Sequence, residues 1–203
     1  MAERYQDIHA KRSVIPRGSQ PYIYLIIIVL ASLINTLLAR FGVLTRPIGP
    51  GSSGLYFSVA FMVVFALWFG WWGVISAYIG CFIGAGVFTG MPFAVNAYWS
   101  LADVWQVLIP VVAFTAFDAD IGLRTRSDFL IFLGFGWLIN NAVGAGWGAS
   151  ALALGKLIPW EEVPGVFTGW FTGNLIVTIV ISPLLLRYAT PHVRKLLGRG
   201  VSI

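Results

Sequence analysis

Hydrophobic residues run along this chain in long unbroken stretches, separated by short polar or glycine- and proline-rich breaks. The clearest stretch runs from Leu55 to Gly90, holds no charged residue, and is interrupted at its middle by Gly70-Trp71-Trp72-Gly73. A bilayer core of ~30 Å takes about 20 helical residues. The stretch is too long for one span and fits two, joined at a tight turn whose tryptophans suit a membrane–water interface. The pattern predicts a transmembrane helical hairpin at the centre of the fold. Its second arm carries Gly80, Gly84, Gly86 and Gly90. Gly80 and Gly84 stand in small-xxx-small spacing, which lets another helix approach closely.

The same reading places a first span over 22–41, a fourth over 101–117, a fifth over 129–154 and a sixth over 166–188. Between the first span and the hairpin, 42–54 carries Pro47, Pro50, Gly42, Gly49, Gly51 and Gly54, which predicts an irregular loop. Loops of that length often act as lids. After the hairpin, 91–100 has Pro92, Phe93, Tyr98 and Trp99 and no charge, which predicts a re-entrant or interfacial segment.

Composition agrees. The 203 residues are 58% hydrophobic and 10% charged, where soluble domains carry about 25% charge, and mean hydropathy is +0.84. A membrane β-barrel would alternate in polarity over segments of ~10 residues; these runs are continuously apolar. The expected fold class is an all-α integral membrane protein of six transmembrane helices in a single compact bundle. A polar lead over 1–20, the transmembrane domain over 21–189 and a basic tail over 190–203 complete the organisation. The long polar lead and the lack of a small-residue cleavage site argue against a cleavable signal peptide. Cys81 is the single cysteine, so no disulfide framework or thiolate metal site is expected.

Charge sets the expected orientation. Ten of the 13 Lys and Arg residues fall in the lead, the 118–128 loop and the end of the chain from Arg187; Arg40, Arg46 and Lys156 fall on the other side. Positive charge marks the cytoplasmic side, so both termini are expected in the cytoplasm of a cell inner membrane. The net charge of +5 is explained by topology rather than by nucleic acid.

Polar residues inside the spans are the candidate chemistry. Asn35, Asp103, Gln106 and Asn174 are expected within about two helical turns of the outer surface, which suggests an outward-facing pocket. An intramembrane carboxylate such as Asp103 is costly and marks a functional candidate. Asn140 and Asn141 point about 100° apart on a helix, so one is free to face a pocket while the other bonds a neighbour. Trp71, Trp72, Trp99 and Trp160 fall at expected interfaces, and Trp147 and Trp170 flank the pocket. The candidate ligand-binding set is Asn35, Trp99, Asp103, Gln106, Asn140, Trp147, Trp170 and Asn174. His9 and His192 are isolated in the tails, Glu161-Glu162 reads as a solvated turn, and no nucleotide-binding or metalloprotease motif occurs. No enzyme, cofactor or metal is expected.

Two stretches resemble the membrane-associated sensor domain family that precedes bacterial kinase and cyclase modules. One is Gly49-Pro50-Gly51-Ser52-Ser53-Gly54 leading into an apolar span, a short turn and a glycine-rich span ending at Gly90-Met91-Pro92. The other is Gly169-Trp170-Phe171-Thr172-Gly173-Asn174 followed by Ser182-Pro183-Leu184-Leu185-Leu186. The chain departs from that family in lacking Trp-Pro before the second span and in carrying Asn174 where an aspartate is common. With no output domain expected beyond Ile203, the resemblance implies a sensor-like module that binds a small molecule and acts through another membrane or cytoplasmic protein. The six-helix plan is also similar to the substrate-binding subunits of energy-coupling-factor transporters, although their alanine-rich docking motif is not evident over 22–41. An accessory subunit of a larger membrane complex is the third reading.

Overall fold

The computed structural model describes residues 21–44 and 54–199, so the lead and most of the expected lid lie outside the described residues. At its centre is helix α2, Ser58–Phe69. Val59, Ala60, Met62, Val63, Val64 and Ala66 on it are completely buried, so it is covered on every side. Its 12 residues rise about 18 Å, short of the ~30 Å bilayer core. Five other helical stretches are long and apolar enough to cross a membrane. The all-α membrane bundle is therefore as the sequence predicts, with one arm of the hairpin shortened to a half-span.

The crossing stretches begin with α1 (Pro21–Phe41) and α3 (Trp71–Thr89). Next come α4 (Phe93–Trp99) running into α5 (Leu101–Ala116), and then α6 (Arg126–Leu154). Last is α7 (Val163–Leu184), continued through a π turn into α8 (Thr190–Arg199). The segment expected to be re-entrant or interfacial is helical from Phe93. Ser100 keeps helical angles (φ −63°, ψ −14°), so α4 and α5 form one 24-residue stretch. Thr125 starts α6 with a capping box closed by Asp128. The last ten helical residues are not a free tail: Val193 and Leu197 pack on the core, and Trp68 Nε1 donates to Thr190 Oγ1 at 2.9 Å.

Contacts along the helices fix their directions. Tyr24 meets Trp72, Asn35 meets Gly80 and Thr36 meets Gly84, so α1 and α3 run parallel. Ala60 pairs with Ser182 and Trp68 with Thr190, so α2 runs parallel to α7. Phe117 meets Phe135 and Trp105 meets Trp147, so α5 and α6 are antiparallel. One end of the bundle gathers Gly70, Leu123 and Thr190; the other gathers the far ends of α1 and α3 and the start of α5.

The start of α2 lies inside the bundle. Short strands β1 (Val43–Leu44), in the expected loop, and β2 (Leu55–Tyr56), at the start of the expected second span, pair antiparallel. They carry the chain from the end of α1 inward, with Phe57 N–H donating to Gly42 O at 3.0 Å. Backbone at membrane depth must find its hydrogen bonds within the protein. Ser58 Oγ supplies another by donating to Asn35 O, and Ser182 Oγ donates to Ala60 O at 3.1 Å. Gly173 on α7 admits this inserted segment: a Cβ there would collide with Gly54 O.

Glycine governs the other close approach as well. The expected Gly80–Gly84 face meets α1, where a Cβ at Gly84 would collide with Thr36 O and lie 2.9 Å from Ala39 Cβ. Gly70, with φ +60°, makes the turn between α2 and α3. Replacing Gly84 with Leu is expected to destabilise the bundle by at least about 1–3 kcal/mol, the usual cost of overpacking. Gly134→Leu, where a Cβ meets nothing within 4 Å, is expected to be tolerated. Thermal unfolding of the two variants in detergent checks this; equal tolerance would contradict the close contact.

Candidate functional site

Helical spacing stacks the polar interior in layers between α5, α6 and α7. On α5, Gln106 follows Asp103 by three residues, and Trp99 at the end of α4 precedes Asp103 by four; on α7, Trp170, Asn174 and Thr178 are spaced by four. Residues three or four apart share a helix face. Because α5 and α7 descend together, one turn on each moves between the same layers.

In the deepest layer Gln106 Nε2 donates to Asn141 Oδ1 at 2.9 Å, and Asn141 Nδ2 reaches Thr178 Oγ1 at 3.4 Å. Asn140 Nδ2 donates to the Gln106 carbonyl at 3.1 Å. Both adjacent asparagines thus bond neighbours on the α5 side, although Asn141 also donates to Trp137 O. Gly144 makes room here, since a Cβ on it would strike the Gln106 side chain.

One turn away come Asp103 and Asn174, with Tyr56 arriving from β2. Tyr56 Oη donates to Asp103 Oδ2 at 3.1 Å. A further turn brings Trp99 and Trp170 together, their ring centroids 5.6 Å apart at 53°. Gly148 accommodates the Trp170 ring. Asn35 lies on the other flank of the α2 entrance, its Nδ2 donating to Ser76 Oγ at 3.4 Å. Trp147 does not join the column; it packs on Trp105 near the bundle surface and donates to Tyr98 O at 2.7 Å.

The column is buried: Asn35, Asp103, Gln106, Asn140, Asn141 and Asn174 are all at most 1% exposed. Much of its hydrogen-bonding capacity has no protein partner. Asp103 Oδ1, Gln106 Oε1, Asn140 Oδ1, Asn35 Oδ1, both polar atoms of Asn174 and the Nε1 of Trp99 and Trp170 are unpaired. A buried polar group left unsatisfied costs about 1–3 kcal/mol. Proteins keep few of them. No described cation pairs with Asp103; the ion pairs among the described residues join Asp120 to Arg124 and Arg194.

Sequence reasoning missed Tyr56 and Thr178, whereas the bonding of Asn140 and Asn141 to neighbouring helices is a role it offered for either. Thr178 was legible in its four-residue spacing from Asn174. Tyr56 carried no local signal, because it is brought to Asp103 by the inserted strand. Among the described residues no three His, Cys, Asp or Glu side chains gather as metal ligands.

The two asparagine types should behave oppositely. Asn141→Leu strands partners on Gln106 and Thr178, whereas Asn174→Leu removes a side chain with no protein partner. Asn141→Leu is expected to cost about 1–3 kcal/mol more than Asn174→Leu, measured by thermal unfolding of protein washed free of small molecules. A larger loss for Asn174→Leu would mean that Asn174 is structural. Comparison of the chain with family models, with curated protein sequences and with solved structures finds no match.

Proposed function

We propose that this protein is a non-enzymatic, sensor-like membrane module that takes a small polar molecule into the Asp103–Asn174 layer and passes the event to a partner protein. The observation that carries the reading is the unpaired capacity of the column and its flank: five acceptor oxygens, two indole N–H groups and one amide NH2, of which the Asp103–Asn174 layer itself holds two of the oxygens and the amide. Small-molecule sites are mostly apolar, with a few placed polar groups, and a carboxylate at membrane depth is by default functional. The Asp103 and Asn174 oxygens favour a ligand with N–H or O–H donors, and the Asn174 amide and the indole N–H groups favour one that also carries an acceptor. The Trp99–Trp170 pair offers an apolar wall for the rest of it. Coupling follows from the insertion of Tyr56: a ligand that competes for Asp103 acts directly on the strand from which α2 starts.

The charge distribution supports an inner-membrane setting with both termini in the cytoplasm. Labelling of single cysteines at positions 124 and 161, in a Cys81→Ser background, is expected to find position 124 inside and 161 outside. Position 161 labelled only from the inside would reverse this orientation. Binding is tested by extracting small molecules from purified protein and identifying them by mass spectrometry. Asp103→Asn and Asn174→Leu are each expected to lower the retained compound about tenfold, which corresponds to losing about 1.4 kcal/mol, while both variants stay folded in the membrane. Equal retention by wild type and variants would contradict the assignment.

A further inference from the structure

The opposite end of the bundle holds a cleft of about 300 Å³ lined by Gly122, Arg124, Arg187, Thr190, Pro191 and Arg194. Three guanidinium groups face it, and Asp120 is the carboxylate paired with two of them. That compensation is loose. Asp120 Oδ2 is 3.4 Å from Arg124 Nε and Oδ1 is 3.7 Å from Arg194 Nη2, whereas well-formed N⁺–H···O⁻ bonds measure about 2.7–2.9 Å. The Oδ1 atom is already engaged by Gly122 N–H at 2.7 Å.

The arginines retain donors. Arg187 Nη1 donates to Leu123 O at 3.2 Å, which leaves its other N–H groups. Arg194 has Nε and Nη2 buried without a hydrogen-bond partner, although its side chain is 21% exposed. Thr190 Oγ1 accepts from Trp68 Nε1, leaving its own O–H to donate. Positive-inside topology explains why arginines sit at this end of the chain. It does not explain why residues from the α5–α6 loop, the π turn and α8 converge on one concavity.

We propose that this cleft is a binding site for a phosphate-bearing anion. Guanidinium groups match phosphate oxygens in planar, bidentate geometry, and a phosphate would satisfy the N–H donors that Asp120 leaves unpaired. The site lies where basic residues meet an anionic leaflet, so the phosphate has two sources, a phospholipid headgroup or a soluble phosphate. The proposal is independent of the ligand column at the other end.

The test uses the full chain in neutral detergent. Native mass spectrometry with an equimolar mixture of phosphatidylglycerol and phosphatidylcholine of matched acyl chains reads the lipid arm. Thermal unfolding with millimolar inorganic phosphate reads the soluble arm. Wild type is expected to retain phosphatidylglycerol over phosphatidylcholine, with Arg194→Gln and Arg124→Gln each lowering the preference roughly fivefold, the equivalent of about 1 kcal/mol per basic side chain at a lipid surface. Stabilisation by inorganic phosphate that is lost in the same variants, without a lipid preference, assigns the site to a soluble anion. Arg124 is 64% exposed, so Arg124→Gln keeps the test valid should Arg194→Gln fail to fold. Absence of both effects in wild type, or effects unchanged in the variants, overturns the proposal.

Discussion

Everything in this fold follows from a stretch of backbone that enters the bundle before it becomes helical. In hydrocarbon there is no water to satisfy a carbonyl or an amide, so β2 and the first residues of α2 survive only because the protein supplies their partners. β1 provides the ladder, Asn35 O and Gly42 O accept from Ser58 and Phe57, and Ser182 caps a carbonyl of α2. The glycine on α7 that meets Gly54 lets the backbone in. Helix packing in a membrane has no hydrophobic driving force between helices, so α2 is held by close contact and by these bonds.

That insertion also creates the polar column. Tyr56 reaches Asp103 because β2 ends at the depth of the α5 polar layer. The column then extends by helical periodicity alone, through Asp103 and Gln106 on α5 and through Trp170, Asn174 and Thr178 on α7. Gln106, Asn140 and Asn141 bond one another's elements at its base, although Gln106 Oε1 and Asn140 Oδ1 stay unpaired, and Asp103 Oδ1 and the whole Asn174 amide are unpaired one turn away. Gln106, Asn141 and Thr178 knit α5, α6 and α7 together, whereas Asn174 in the next layer bonds no protein side chain.

The helical membrane architecture was legible because continuous apolar runs admit no other fold at this composition. The turn at Gly70 and the packing role of Gly80 and Gly84 were legible for the same reason, since missing side chains in a span have few other uses. The half-length of α2 was not. A helix buried on all sides shows no amphipathic stripe, and its apolar run continues into β2 without a break. The seven-residue α4 was also hidden, because Pro92 and the aromatics suit a loop as well as a helix start. Six of the eight candidate site residues fall in or beside the column, as inward-facing polar residues in spans must, with Asn35 at its flank and Trp147 outside it. Arg124, Arg187 and Arg194 read in sequence as orientation signals, and only the fold brings them together.

The central claim is that the Asp103–Asn174 layer holds a ligand rather than completing the core. A high-resolution density map of the protein purified from its native membrane tests it most directly. The account predicts non-protein density in contact with Asp103 Oδ1 and the Asn174 amide, beside the Trp99 and Trp170 rings. A dry layer in which Asp103 and Asn174 bond each other, with no density between them, would contradict it.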